Sequence, residues 1–174
     1  AATEGGATST YTVVLDKAPT GNVNISLSND NGQATTTPTT LTFTTANWNA
    51  TQTVTVTAVN DQIDENTATS TISHTATSSD AGYNGISISN NVVTVTDNDT
   101  AGVTLSTTTV SATEGGATSS YTVVLDTEPT ATVTVSVASN NSQSTTTPTS
   151  LTFTTGNWST PQTVTVTAVN DQID

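Results

Sequence analysis

The chain has 174 residues. It contains 14 Asp and Glu residues and a single Lys or Arg, Lys17, which gives a formal net charge of −13. This balance excludes nucleic acids and anionic lipid surfaces as partners, because phosphate binding needs Lys and Arg. The absence of cysteine excludes disulfides, zinc ribbons and iron–sulfur clusters. No apolar run approaches the roughly 20 residues that cross a bilayer, so we expect no membrane insertion within this segment.

An internal repeat organises the chain. Shifting the sequence by 110 positions lays residues 1–64 on residues 111–174 without a gap, and 45 of the 64 pairs are identical. A repeat of this length has the size of one domain with a two-sheet core. We predict one repeat at 1–100 that lacks its first strand, and a second at 101–174 that lacks its last two. We therefore expect a fragment of a longer array.

Alternation of apolar and polar residues predicts the strands in chain order. Threonine fills 47 positions, which favours strands because β-branched side chains fit a pleated surface. Counted from Gly102, each repeat contains seven predicted strands. The predicted strands lie near residues 11–15, 23–27, 41–43, 53–58, 68–77, 92–96 and 102–110.

Short connections with turn residues separate these strands, for example Glu4-Gly5-Gly6 and Asp30-Asn31-Gly32. We predict an all-β fold of tandem seven-stranded antiparallel β-sandwiches, immunoglobulin-like, although alternation alone does not separate a sandwich from a barrel. Parity within each strand predicts which side chains face the core. The predicted inward set is Tyr11, Val13, Leu15, Val23, Ile25, Leu27, Leu41, Phe43, Val54, Val56, Ile72, Val93 and Val95, with their partners 110 positions later where present.

Four motifs carry a resemblance to a known family. They are Ala-Thr-Glu-Gly-Gly at 2–6, Leu-Thr-Phe-Thr-Thr-Ala-Asn-Trp at 41–48, the segment from Gln52 to Glu65, and Val-Thr-Val-Thr-Asp-Asn-Asp at 93–99. In this order they resemble the Calx-beta family, in the tandem form found in large bacterial surface and adhesin proteins. The resemblance spans essentially the whole chain and implies a seven-stranded sandwich.

The resemblance also implies calcium ligands. Calcium-binding members use a glutamate after the first strand, an acidic cluster after the fifth and an acidic run that ends the seventh. The family's further acid before the fourth strand has no match, since residues 34–40 are Ala, Thr and Pro, so fewer ions or weaker binding are expected. The matching positions are Glu4, Asp61, Asp64, Glu65, Asp97 and Asp99 in the first repeat, and Glu114, Asp171 and Asp174 in the second.

A physical argument independent of the family also favours calcium. Strands that end in carboxylates at one pole of a sandwich would gather like charges, which repel unless a cation lies between them. Calcium accepts six to eight oxygen ligands in irregular geometry, whereas magnesium requires a tighter octahedron. The alternative is that these acids only form turns at strand ends. We expect the ions where repeats meet, beside residues 97–101.

Other features favour structural roles. Trp48 and Trp158 are expected to cap their cores, with carbohydrate stacking as the alternative, and His74 is expected at a core edge. The Thr-rich stretch at 35–40, repeated at 145–150, is interpreted either as an extended crossover or as a site for O-glycans. No set of nucleophile, base and orienting group is visible, which argues against an enzyme.

We therefore expect a non-catalytic structural repeat, a calcium-stiffened stalk or filament segment of an extracellular bacterial surface or adhesin protein. Near-identical repeats indicate that repetition of this unit sets the length and stiffness of the protein, since each unit contacts mainly its neighbours. The expected partners are neighbouring repeats, with self-assembly into a fibre as an extension. The alternatives are a glycan- or protein-binding module and an accessory domain of a secreted enzyme.

Overall fold

The structure, a computed structural model, describes residues 1–171. All regular structure in that range is β-strand, and the fold is all-β as predicted. Contacts divide the chain into two compact units. The first unit comprises Ala1–Asp61 with Glu65–Asn98, and the second comprises Gln62–Asp64 with the chain from Asp99 onwards. No helix among the described residues is long and apolar enough to span a membrane.

Two sheets form the first unit. Their strands are β1 (Ala2–Thr3), β2 (Ser9–Val13), β3 (Val23–Asn29), β4 (Ala34–Thr37), β5 (Thr40–Phe43), β6 (Gln52–Ala58), β7 (Ala68–Ser78) and β8 (Asn91–Thr96). The larger sheet has the order β1-β8-β7-β3-β5 and the smaller the order β2-β6-β4. Neighbouring strands are antiparallel except β1 and β8, which are parallel.

The core of the first unit lies between these two sheets. In β6, Val54 and Val56 are fully buried whereas Thr53 and Thr57 are exposed, so the predicted register is confirmed. Side chains of β3, β5, β7 and β8 belong to the same buried cluster, and Trp48 packs against it. Burying each large aliphatic side chain contributes about 1.5–3 kcal/mol. The unit is therefore a β-sandwich held by one apolar layer.

The Thr-rich stretch carries the chain from one sheet to the other. Strand β4 pairs with β6 in the smaller sheet, and β5 pairs with β3 in the larger. The peptide bond between Thr37 and Pro38 is cis and lies between the two strands. The apolar–polar alternation of the sequence predicts neither β4 nor β1, because a run of threonines contains no apolar alternation and β1 has only two residues. These strands are additions to the predicted set.

The second unit has six strands within the described residues. They are β9 (Val103–Leu105), β10 (Ser119–Leu125), β11 (Val133–Ser136), β12 (Ser144–Thr147), β13 (Ser150–Phe153) and β14 (Gln162–Ala168). One sheet has the order β12-β14-β10-β9, and β11 pairs with β13 in another. The buried cluster of this unit contains Val123, Leu125, Leu151, Phe153 and Val164, with Trp158 packed against it.

The predicted inward set is confirmed in the first unit, where eleven members are buried and Tyr11 and Val13 are half-buried against the core. In the second unit the same parity holds with less burial. Val133, Val135 and Val137 are half-buried, whereas Val23, Ile25 and Leu27 are buried. The reason is that β3 has partners on both edges, β5 and β7, whereas β11 pairs with β13 alone in the described range.

Candidate metal centre

The ends of three strands bring acidic side chains together at one pole of the first unit. Glu4 follows β1 directly, and its backbone N–H donates to the carbonyl of Thr96, at the end of β8. Asp97 follows β8, and Asp61 lies in the turn after β6. Because β1 and β8 are parallel neighbours, their C-terminal ends lie side by side. The pole therefore contains acids from positions far apart in the sequence.

Glu4 is the buried member of this group, with its side chain 2% exposed. Its carboxylate accepts a hydrogen bond from the Asp61 N–H at 3.4 Å. Carboxylate oxygens of Glu4 and Asp61 lie within 4.8 Å of each other. Burial is the largest cause that raises the pKa of Glu4, and the charges of Asp61, Asp97 and Glu65 raise it further. The ionised form of Glu4 is therefore disfavoured without a positive charge nearby.

Asp97 and Glu65 form the second part of the pole, and both are half-buried. An oxygen of the Asp97 carboxylate accepts a hydrogen bond from the Glu65 N–H at 2.6 Å. The Glu65 carboxylate accepts one from the Gln33 side-chain amide at 3.3 Å. These bonds fix the loop after β6 against the end of β8. The donors in both bonds are neutral amides.

Two asparagines and a glycine complete the pole, and sequence analysis did not select them. The side-chain amide of Asn98 donates to the Glu4 carbonyl at 3.0 Å and to the Asn60 side chain at 2.9 Å. Gly5 has a φ of 59°, and a Cβ there would lie 2.7 Å from the Asn60 side-chain oxygen. The pattern Glu-Gly-Gly, which recurs at 114–116, thus has a steric reason at its first glycine, which both the positive φ and the close approach require.

Acids elsewhere in the first unit behave differently. The Asp30 carboxylate accepts a hydrogen bond from the Thr71 N–H at 2.9 Å, which lowers the pKa of Asp30. Asp80 accepts bonds from the N–H groups of Thr20 and Gly82 at 2.7 and 2.8 Å, and these lower the pKa of Asp80. Both residues therefore act as turn formers. Glu4 differs from both, because burial and the neighbouring acids raise its pKa.

The remaining predicted ligands belong to the second unit. The Asp64 side chain is exposed and accepts a hydrogen bond from the Ala101 N–H at 2.9 Å. Asp99 follows Asn98 in the chain and is half-buried, as is Asp171. Glu114 is exposed, in contrast to Glu4 at the same position of the repeat. Asp174 lies outside the described residues. The first unit thus brings together Glu4, Asp61, Glu65 and Asp97.

The histidine and its neighbours show no catalytic arrangement. Tyr11 and His74 share a hydrogen bond of 2.8 Å between the phenol oxygen and Nε2, and their rings meet edge to face. Burial lowers the pKa of His74 and raises the pKa of Tyr11 to about 12. At neutral pH both are therefore uncharged. This pair ties β2 of one sheet to β7 of the other, which is a structural role.

Comparisons with known proteins give few matches. No protein-family model matches the chain, and no curated protein matches it. Among solved structures, the chain is similar to one described as "D0-D1 domain of Intimin", with 17% sequence identity and a TM-score of 0.37. That alignment covers 97% of this chain and 81% of the other. A likeness at this TM-score carries no argument about fold or function.

Proposed function

We propose that this chain is a non-catalytic structural repeat of the Calx-beta type, a calcium-stiffened stalk or filament segment of an extracellular bacterial surface or adhesin protein. Calcium would bind at the acidic pole of the first unit through Glu4, Asp61, Glu65 and Asp97. Asp64 and Asp99 are further proposed ligands. In the second repeat the corresponding proposed ligands are Glu114, Asp171 and Asp174.

The buried carboxylate of Glu4 is the observation that supports calcium most directly. A buried acid surrounded by other acids is costly unless it is protonated or paired with a cation. Calcium suits this pole because it accepts carboxylate, carbonyl and amide oxygens in flexible geometry. The oxygens of Glu4, Asp61, Asp97 and the nearby Asn60 side chain are of these kinds. Bound calcium would replace the repulsion with attraction and fix the ends of β1, β6 and β8.

The stalk role is supported by repetition without a reaction site. The acids Glu4, Asp16 and Asp61, which recur 110 positions later in the sequence, lie outside the strands, and the single histidine is occupied by its bond to Tyr11. Repeat proteins in which each unit contacts mainly its neighbours use repetition to set length and rigidity. Calcium is abundant outside cells, and weak sites of extracellular modules are filled there. The neighbouring repeats of the same protein are then the proposed partners.

The experiment compares calcium with chelator on each unit separately. Trp48 packs on the first core and Trp158 on the second. A Trp158→Phe variant therefore reports unfolding of the first unit through Trp48, and Trp48→Phe reports the second through Trp158. Calcium at about 100 times its Kd should stabilise the first unit by about 2.7 kcal/mol. Magnesium at equal concentration should give a smaller shift.

A matched pair of variants identifies the ligand. Glu4→Gln should abolish most of the calcium-induced shift in the melting temperature of the first unit, while Glu114→Gln leaves that shift unchanged. If calcium shifts the melting curve of neither unit in the unchanged chain, which retains Glu4, the metal proposal is wrong. Small-angle scattering with calcium and chelator tests stiffness, since a stalk segment should have a larger maximum dimension with calcium. A glycan array tests the binding-module alternative, because a spacer should give no hits.

A further inference from the structure

The same six residues have different partners in the two units. Tyr-Thr-Val-Val-Leu-Asp occupies 11–16 in the first unit and 121–126 in the second. In the second unit the first five of these residues lie in β10, which continues to Leu125 and pairs with both β14 and β9, and Asp126 follows it. In the first unit β2 ends at Val13 and is an edge strand beside β6. An identical sequence is therefore paired on two sides in one unit and on one side in the other.

The second unit shows how the additional strand is held. Residues Val103, Thr104 and Leu105 of β9 lie opposite Leu125, Val124 and Val123 in an antiparallel ladder. Two hydrogen bonds extend this ladder beyond β9. The Ser106 N–H donates to the Thr122 carbonyl, and the Asp126 N–H donates to the Gly102 carbonyl, both at 3.0 Å. The ladder thus covers five residues of the added strand.

Side chains give this pairing its specificity. The Thr104 hydroxyl donates to the Asp126 carboxylate at 2.7 Å. A Cβ on Gly102 would collide with that same carboxylate. A side chain at position 102 would therefore displace the carboxylate that the Thr104 hydroxyl contacts. Asp16, which corresponds to Asp126, is exposed in the first unit.

A groove runs beside the edge of β2 in the first unit. It has a volume of about 680 Å³, and Val13, Val14 and Leu15 line one side. Tyr83, Ile86 and Ile88 are among the residues that line the remainder. Val14 is 43% exposed there. Asp16 and Lys17 also line the groove. Val103 and Leu105 of β9 are 50% and 43% exposed in the second unit, so an equivalent strand would bring apolar side chains to the apolar part of this lining.

We propose that the edge of β2 binds an extended, uncharged segment with the sequence pattern Gly-Val-Thr-Leu-Ser, which adds to the smaller sheet as an antiparallel strand. The leucine would lie opposite Val13, the threonine opposite Val14 and the valine opposite Leu15. The glycine carbonyl would accept from the Asp16 N–H, and the threonine hydroxyl would donate to the Asp16 carboxylate. This is recognition by strand addition, in which backbone bonds give affinity and side chains give selectivity. It does not depend on calcium.

The test uses the 174-residue chain and a synthetic peptide with the sequence of residues 102–110. Backbone NMR signals detect weak binding, so the peptide is titrated to millimolar concentration. The amide signals of Val14, Leu15 and Asp16 should shift in a saturable way and become protected from hydrogen exchange. A spin label at the peptide's C-terminal end should broaden signals of residues before Thr12, as the proposed register requires. Absence of saturable shifts would overturn the proposal.

Matched variants separate specific pairing from general stickiness. A peptide with valine at its first position should bind about tenfold more weakly, because the valine side chain would displace the Asp16 carboxylate from the threonine hydroxyl. Asp16→Ala in the chain should weaken binding about tenfold, the expected effect of losing a charge-assisted hydrogen bond, while Asp126→Ala leaves it unchanged. Equal binding of both peptides contradicts the proposal. So does a concentration-dependent dimer that occupies this edge and is not displaced by the peptide.

Discussion

The two units place the same sequence in different surroundings. Residues 52–58 and 162–168 both read Gln-Thr-Val-Thr-Val-Thr-Ala and form strands of equal length, β6 and β14. Val54 and Val164 are fully buried in both. Val56 is also fully buried, whereas Val166 is half-buried. Strand formation is therefore a local property of this sequence, while the depth of burial depends on which strands lie opposite.

The acidic turn after residue 111 shows the same dependence. Ala2 and Glu4 are buried beside β8, whereas Ala112 is half-buried and Glu114 exposed. Strand β1 exists because β8 supplies its partner, and the described residues near Ala112 form no strand. The candidate metal centre thus depends on the β7 and β8 region even though half of its acids come from elsewhere. Three matched pairs of substitutions and one pH dependence test the comparison of the two units.

The largest difference is expected from Gly5→Ala against Gly115→Ala. Both glycines have positive φ, 59° and 62°, so alanine costs about 1–2 kcal/mol at each. At Gly5 the new methyl group also displaces the Asn60 and Asn98 side chains and their hydrogen bonds, whereas at Gly115 the nearest atom is 3.6 Å away. We expect a total cost of about 2–4 kcal/mol at Gly5. Urea unfolding followed through each tryptophan measures both, and equal losses would contradict the structure.

The next pair is Val23→Ala against Val133→Ala, which tests burial in β3 and β11. Val23 is fully buried between strands on both sides, whereas Val133 is half-buried. Removing two methyl groups should cost the first unit about 2 kcal/mol and the second about half as much. Phe43→Ala and Phe153→Ala form the control, because both rings are fully buried and should each cost about 3–5 kcal/mol.

Tyr11→Phe against Tyr121→Phe tests the bond between the sheets of the first unit. The Tyr11 hydroxyl is bonded to His74, which is the only histidine of the chain. Its loss should destabilise the first unit by about 0.5–1.5 kcal/mol. Tyr121→Phe should change the free energy of unfolding of the second unit by less than about 0.5 kcal/mol, as is usual for a substitution that removes no buried contact. An equal loss of unfolding free energy in the two variants would show that the Tyr11–His74 hydrogen bond does not distinguish the two units.

The smallest effect is a pH dependence carried by Glu4 in the absence of calcium. Its folded pKa is raised above the ordinary 4.5, so the folded state binds more protons than the unfolded state between the two values. Stability contributed by protonated Glu4 is therefore present at low pH and lost as pH rises through the folded pKa. As pH rises from 4.5 through the folded pKa of Glu4, the stability of the Glu4→Gln variant relative to the unchanged chain should therefore increase.

Two other acids affect the raw melting curves with the opposite sign. The lowered pKa values of Asp30 and Asp80 contribute stability that is present above the ordinary value of 3.8 and lost as pH falls further. The Glu4→Gln variant and the unchanged chain both retain Asp30 and Asp80. The difference between their free energies of unfolding therefore isolates the contribution of Glu4. A difference that does not change between about pH 4 and pH 7 would show that Glu4 is not the coupled group.

The sequence alone determined the strands whose apolar residues alternate, their inward faces and the repeat. Val54 and Val56 face the core because a period of two leaves no other choice once one face is buried. It also indicated which acids end strands, since Asp and Asn occur at turns. It did not identify β1 or β4, whose threonines and short length give no apolar pattern.

Tertiary structure decided which acids differ in character. Asp30, Asp80 and Glu4 all lie in turn sequences. Backbone N–H donors contact the carboxylates of Asp30 and Asp80, whereas the Glu4 carboxylate is buried among other acids. Glu4 and Glu114 occupy the same position of the repeat, and one is buried while the other is exposed. The physical reason is that a strand's local sequence sets its conformation, whereas burial and charge environment come from strands that pair from distant parts of the chain.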